Sequence, residues 1–168
     1  MEIRALTKDD AEVFHEFRLE ALDREPGAFG SSASEHRATS VPATAKRLAA
    51  ATGDSFVLGA FSGGRLVGTA GFFRNQREKE RHKGGVWGVY VNAEWRSKGV
   101  ARALMTELLR RARAQPGLEQ INLAVAVQQT AAKRLYESLG FEVFGHERHA
   151  LKSGDVYIDE DHMVLWLG

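Results

Sequence analysis

An α/β fold organised around a mixed sheet is the class that the sequence predicts, and three observations lead to it. Short apolar runs rich in β-forming residues alternate along the chain with segments whose apolar residues recur at helical spacing. Two apolar runs in SFVLGAFSGGRLVGTAGFFR, residues 55–74, meet through Ser62-Gly63-Gly64, the signature of a β-hairpin. A nearly all-apolar run, QINLAVAV at 120–127, lies between two amphipathic segments, as expected of a strand covered on both faces. The predicted order is β-α-α-β-β-β-α-β-α-β-β, a mixed sheet with helices on its faces, in one domain over residues 1–168.

Taken in order, EIRAL at 2–6 alternates Ile3 and Ala5 with Glu2 and Arg4 and reads as a short strand. Thr7, with Asp10 three residues on, forms a capping box for a helix that places Val13, Phe14, Phe17 and Ala21 at helical spacing. Pro26-Gly27 ends that helix, and residues 26–40, rich in Gly, Ser and Ala, read as a long loop of the kind that is often functional. Residues 41–51 read as a second helix with Pro42 near its start. After the hairpin, RNQREKERHK at 74–83 interleaves both charge signs and reads as a solvated connection rather than a binding patch. GGVWGVYV is the fourth strand. Residues 99–113 form a helix with Ala101, Leu104, Met105, Leu108 and Ala112 on one face, stopped by Pro116-Gly117. QTAAKRLYESLG carries Ala132, Leu135, Tyr136 and Leu139 at helical spacing, with Gly140 as its C′ residue. FEVFGHERHALK and DVYIDEDHMVLWL are the closing strands.

Composition excludes several function classes. The 168 residues are 43% hydrophobic and 27% charged, as in an ordinary globular domain. A formal net charge of +1 lacks the basic excess of nucleic-acid-binding domains. With no cysteine there is no disulfide framework, thiolate nucleophile or cysteine metal site. The six histidines show no metal-ligand spacing, and no metal is expected. No apolar run approaches the roughly 18 residues that cross a membrane, and MEIRALTKDD lacks a signal-peptide pattern. A cytoplasmic protein that binds neither membrane nor nucleic acid is the expectation.

The segment with chemical content is EWRSKGVARALMTELL, residues 94–109. A strand–loop–helix junction exposes backbone N–H groups without intrahelical partners, and the helix dipole adds partial positive charge. Together these favour an anion, phosphate above all. Gly99 and Ala101 are small enough for a ligand to approach the backbone, and Arg96 and Lys98 add charge. By itself the stretch also suits an ordinary helix start with solvated basic residues. Neither G-x-x-x-x-G-K-[ST] nor G-x-G-x-x-G occurs in the chain, so two common phosphate loops are excluded.

Arg96-Ser97-Lys98-Gly99-Val100-Ala101 does match [QR]-x-x-G-x-[GA], and so resembles the pyrophosphate-binding motif of the GNAT family of acetyl-CoA-dependent N-acetyltransferases. QQTAAKRLYESLGFEVFG resembles a second signature of that family, N-x-x-A-x-x-L-Y-x-x-x-G-F, through Ala132, Leu135, Tyr136, Gly140 and Phe141; Gln129 stands where Asn is usual. The element order is similar too, and the resemblance runs from Ile3 to Leu167.

The resemblance implies direct acetyl transfer from acetyl-CoA to an amine. The pyrophosphate would lie on Arg96, Ser97, Lys98, Gly99, Val100 and Ala101, with Gln129 nearby. The pantetheine arm would pair with Val89, Tyr90 and Val91, on a fourth strand that splays from the fifth. A backbone N–H near Val91 would polarise the thioester carbonyl, and Tyr136 would be the general acid that protonates the departing thiolate. The alternative for Tyr136 is a core tyrosine packed with Leu135 and Leu139. The fourth strand offers no carboxylate as base. Glu78, Glu80, His82, Glu35, His36, Asp159, Glu160 and Asp161 lie elsewhere as surface charges, and deprotonation through water is the expectation.

The early and final segments resemble, more loosely, family members that acetylate small amines. Glu35 and Asp159, with Glu160, would suit a cationic acceptor, and Tyr157 would line its cleft. A protein N-terminus or lysine is the rival acceptor. A non-catalytic acyl-CoA-binding domain is the rival class, favoured by Gln129 and the missing strand glutamate. Family members are often dimers, which makes a homodimer an expectation here.

Overall fold

The computed structural model describes residues 1–168. Its elements are β1 (Glu2–Ala5), α1 (Ala11–Arg24), α2 (Ala33–Ala38), α3 (Val41–Ala49), β2 (Ser55–Ser62), β3 (Arg65–Arg74), β4 (Lys83–Val91), α4 (Val100–Arg113), β5 (Gln120–Ala126), α5 (Thr130–Ser138), β6 (Glu142–Ser153) and β7 (Val156–Trp166). The seven strands form one sheet in the order β1-β2-β3-β4-β5-β7-β6. Every neighbouring pair is antiparallel except β4 and β5, which α4 connects and which run parallel. The mixed sheet with helices on it is the predicted class, with one helix more than expected.

That extra helix is α2, within the stretch read as a loop. Ser32 caps it: the Glu35 N–H donates to Ser32 Oγ at 3.1 Å, and the Ser32 N–H donates to Glu35 Oε2 at 2.9 Å. This reciprocal capping box supplies partners for N–H groups that a short helix leaves open. Ser32-x-x-Glu35 was its only local signal, obscured by the small residues around it. The capping box expected at Thr7 and Asp10 forms, opening a 3-10 turn at Lys8–Asp10 that leads into α1. Along α1, Phe14, Phe17, Ala21 and Leu22 are buried but Val13 is exposed, because the buried stripe turns toward Leu22.

Two cores lie on the two faces of the sheet. Leu104, Met105, Leu108 and Ala112 of α4 pack with Leu58, Val67, Phe72, Ile121 and Met163. Phe14, Phe17 and Ala21 of α1 pack with Leu6, Leu48, Val57, Leu66 and Tyr90. Successive residues of β2 therefore serve opposite cores: Phe56 and Leu58 belong to the first, Val57 to the second. Burying one large aliphatic side chain of this kind contributes about 1.5–3 kcal/mol. β5 departs from expectation: Ile121, Leu123 and Val125 are buried, Asn122 is half-buried and Ala124 is exposed. On the second face full cover is reached only at the end of the strand, at Ala126.

The departure of β4 from β5 leaves that second face open. The two strands pair only through Lys83–Gln120, Gly84–Ile121 and Gly85–Asn122 and then separate. On its other edge β4 carries a bulge. Thr69 faces Tyr90 but Gly71 faces Trp87, so Gly88 and Val89 together oppose Ala70. Gly88 has φ +61°, a left-handed conformation that side chains disfavour, and its carbonyl accepts the Thr69 hydroxyl at 3.1 Å. The bulge re-aims the end of β4 where the strands part.

Candidate active site

The wedge between β4 and β5 is the centre of the site. Phe29, Trp87, Gly88, Val89, Val125 and Tyr136 line it. It continues into a groove of about 470 Å³ that runs past Tyr90 and Val91 to Arg96, Ser97, Gly99, Val100 and Ala101 at the start of α4, with Gln129 and Tyr136 on its far wall. On the other side of Trp87 lies a third cavity, of about 260 Å³, between α1, α2 and α3.

The start of α4 is an open set of donors. Gly99 is its N-cap with φ +78°, and Ser97 is also left-handed at φ +60°. Space is not the constraint at Gly99, since a Cβ there would meet nothing within 4 Å. The constraint is the backbone turn, which glycine adopts without penalty. The first main-chain bond reaching this segment runs from Ala103 N–H to the Gly99 carbonyl at 3.0 Å, and the N–H groups of residues 97–102 have no acceptor in the protein. Alternating backbone conformations of this kind gather N–H groups into an anion-binding concavity, reinforced by the helix dipole.

The predicted phosphate-loop cations divide. Arg96 borders the groove, but Lys98 lies with its Nζ 4.8 Å over the Trp95 ring. Arg102, which the sequence motif did not single out, lines the groove and donates from Nη2 to Ser138 Oγ at 2.9 Å. Its i+3 spacing from Gly99, one helical turn into α4, was the available signal.

Val91 faces Gly68 on β3, but the ladder bond beside them runs from Asn92 N–H to the Val67 carbonyl at 3.0 Å. Val91 therefore turns its own N–H and carbonyl away from β3, toward the gap that β5 has vacated. The carbonyl accepts Arg96 Nε at 3.1 Å. Tyr90 turns its ring to the other core, where its hydroxyl donates to Glu20 at 3.2 Å and burial pushes its pKa up.

Tyr136 lines both wedge and groove and is 6% exposed. Its ring meets Phe141 edge-on at 6.0 Å, and its hydroxyl has no hydrogen-bond partner in the protein. Burial pushes its pKa up to about 12, so the hydroxyl holds its proton throughout the physiological range. Gln129, the N-cap of α5, makes no side-chain cap bond and borders both cavities.

The acceptor-side residues are placed differently from expectation. Glu35 lines the third cavity, but its carboxylate caps α2. Tyr157 and Asp159 line none of the three cavities. Tyr157 stacks on His149 at 4.2 Å. Asp159 accepts the His149 N–H at 2.9 Å and His146 Nε2 at 3.1 Å. Asp161 is held between Lys133, at 2.8 Å, and His146 Nδ1, at 2.9 Å. Glu78, Glu80 and His82 precede the end of β4 that is still paired with β5. Cross-strand pairing also gathers exposed Glu147 with half-buried Glu160 and His162, His162 Nε2 lying 2.7 Å from Glu147 Oε2, a cluster that sequence spacing does not reveal.

His36 is the titratable group of the third cavity that burial keeps neutral. Its Nε2 donates to the His15 carbonyl at 2.9 Å and its pKa is lowered, first by burial. Arg18, Arg47 and Trp87, all in that lining, were not singled out from the sequence.

A splayed parallel pair, a bulged strand beside it and an unbonded N–H cradle after it form one groove with an anion-suited end, the kind of site that an acyl-CoA-dependent transferase needs. The family model for the Acetyltransferase (GNAT) family matches residues 14–141, and the chain belongs to that family. Among curated proteins it is similar to the L-amino acid N-acetyltransferase AaaT of Escherichia coli (strain K12), at 31% identity over 102 residues. That match covers 60% of this chain and 62% of the relative, so it spans less than two thirds of the relative's length. In fold it is similar to an acetyltransferase of the GNAT family from Streptococcus pneumoniae, with a TM-score of 0.87, 22% identity and 98% of each chain covered. It is also similar to yncA, a putative acetyltransferase from Salmonella typhimurium solved with acetyl-CoA, with a TM-score of 0.80 and 24% identity over 100% of this chain and 94% of that one.

Proposed function

We propose that this chain is an N-acetyltransferase that moves the acetyl group from acetyl-CoA directly to the amine of a small molecule. The observation that carries the reading is the run of unbonded N–H groups at residues 97–102, opening on a groove that leads past Val91 to Tyr136. Support comes from family membership, from the yncA structure with acetyl-CoA and from the AaaT relative, whose name brings amino acids into the acceptor panel. A cavity of about 260 Å³ favours a metabolite, since pockets for drug-sized ligands run from about 300 Å³ upward.

In this mechanism the pyrophosphate rests on residues 96–102 and the pantetheine arm runs beside Val89 and Val91. The acceptor enters from the third cavity as an ammonium, because an alkylamine has a pKa near that of lysine, about 10.4. It loses its proton to water in that open cavity, where His36 is the neutral base of the lining. The amine nitrogen then attacks the thioester carbon. The Val91 N–H stabilises the negative oxygen that develops. As the C–N bond forms and the C–S bond breaks, the thiolate takes the Tyr136 proton and the amine's second proton goes to solvent, leaving an N-acetyl amine and CoA. Tyr136 regains a proton from water.

Thiol release from acetyl-CoA with a panel of amino acids, primary amines and a peptide tests this. Turnover with a small amine supports it. CoA binding without turnover of any acceptor would overturn it in favour of a non-catalytic binding domain, and turnover of the peptide alone would move the acceptor to a protein.

A further inference from the structure

The third cavity carries positive charge that the fold leaves uncompensated. Arg18 sits on the inner side of α1 with its guanidinium 4.8 Å from the Phe29 ring centre and 5.5 Å from that of Trp87. It makes no hydrogen bond or ion pair to the protein, and its Nη1 is sealed from solvent without a partner. Leaving a charged donor unpaired out of water is costly, and an apolar residue would pack between two aromatic rings without that penalty. Arg47 on α3 stands 5.8 Å from the same Trp87 ring, also without an acidic partner. Burial, first, and the charge of Arg47 lower the pKa of Arg18 to about 10, so its guanidinium remains charged at neutral pH.

The other ionisable groups of the lining do not cancel this charge. Glu35 is the cavity's single carboxylate, and it accepts the Ser32 N–H. His36 is neutral, with its Nε2 on the His15 carbonyl, and His15 Nδ1 is 3.2 Å from Thr44 Oγ1. An occupant bearing an oxyanion suits such a lining. A second ammonium, as in a polyamine, would add to the repulsion, which reverses the cationic acceptor expected from sequence.

The position of Arg18 sets where the acceptor's amine falls. A Cβ at Gly88 would lie 3.4 Å from Arg18 Nη1, and Gly88 also lines the wedge beside Val89. An oxyanion on Arg18 is therefore at the mouth of the acetyl slot, and the amine must be close to it in the acceptor. An α-amino acid meets this demand, since its amine and carboxylate share one carbon. The planar carboxylate also matches the guanidinium fork.

We propose that Arg18, assisted by Arg47, holds the carboxylate of an α-amino acid acceptor at the mouth of the wedge and so orients its amine toward the acetyl group. The proposal rests on the acetyltransferase reading above and deepens it to a substrate class and a residue that selects it.

The test is steady-state thiol release with acetyl-CoA and matched acceptors: an amino acid, its decarboxylated amine, and its aminophosphonate and aminosulfonate analogues. The wild-type chain is expected to favour the amino acid over the decarboxylated amine by about 10- to 100-fold in kcat/KM, the scale of a charge-assisted hydrogen bond. R18Q should raise KM for the amino acid more than it lowers kcat and bring that preference toward unity, with R18K intermediate. R47Q, on the exposed side of α3, should erode the preference in the same direction without risk to the fold. Equal or better turnover of the decarboxylated amine by the wild-type chain overturns the proposal while leaving the acetyltransferase reading intact. So does an equal fall in kcat for both acceptors in R18Q, with KM unmoved. A better phosphonate or sulfonate overturns the carboxylate assignment. Absence of thiol release with every acceptor overturns both readings together.

Discussion

Arg96 ties the cradle of unbonded N–H groups at the start of α4 to the end of β4: its Nε donates to the Val91 carbonyl at 3.1 Å while its Nη2 pairs with Glu25 at 2.9 Å. The motif arginine is thus a brace as well as a charge, because it fixes the peptide that precedes the cradle. Lysine cannot span both acceptors from one point charge. R96K should weaken CoA binding by about tenfold, on the scale of one charge-assisted hydrogen bond, as read by calorimetry. An unchanged Kd would mean that the brace does not support the cradle.

Tyr136 has no hydrogen-bond partner in the protein and is protonated up to about pH 12. Y136F should lower kcat by about 10²- to 10⁴-fold, the usual contribution of a positioned acid, while the Kd for CoA stays within about twofold. Because the phenol pKa is raised, the wild-type rate should climb with pH as the amine deprotonates and show no fall by pH 10. An unchanged kcat in Y136F, or a loss of CoA binding equal to the loss of rate, would assign the hydroxyl a packing role.

Gly99 opens α4 with φ +78° in free space. G99V should therefore cost about 1–3 kcal/mol through backbone strain alone, and it should weaken CoA binding as the cradle shifts. Thermal unfolding and calorimetry on the same sample read both. Full CoA affinity in G99V would place the pyrophosphate elsewhere.

Asp10 accepts Arg4 Nη2 at 2.7 Å, Arg4 Nη1 at 2.8 Å and the Thr7 N–H at 2.8 Å. The Arg4 hydrogen bond, chiefly, lowers its pKa from 3.8 to about 2, against the opposing effect of burial. A depressed carboxylate stabilises the fold above its unfolded pKa, and that contribution is lost as pH falls through about 2. D10N should be less stable by about 2 kcal/mol at pH 6 in urea unfolding, and the difference should vanish near pH 2. A difference that persists at pH 2 would trace the effect to packing.

The two halves of the candidate site were unequally legible. The backbone geometry at RSKGVA could be read because it is local: a left-handed glycine, a helix start and unbonded N–H groups lie within a few residues of each other. Tyr136 could be read because its helix supplies the spacing. Glu35 and Asp159 read as free carboxylates because sequence does not show their partners; in the structure one caps α2 and the other is held by His146 and His149. Helix α2 was hidden for a related reason, since its capping box lies in a stretch whose Gly, Ser and Ala otherwise signal a loop.

By itself the sequence determined the order of the strands and of every helix but α2, the glycine-headed start of α4 and the helical face that carries Tyr136, because each follows from periods of two or 3.6 residues and from local backbone rules. The tertiary structure decided which charges surround the third cavity. Arg18, Arg47 and Trp87 belong to α1, α3 and β4, and only the packing of two helices on a bulged strand brings them around one cavity. No periodicity encodes that encounter, since it depends on sheet register and on helix positions set by both cores.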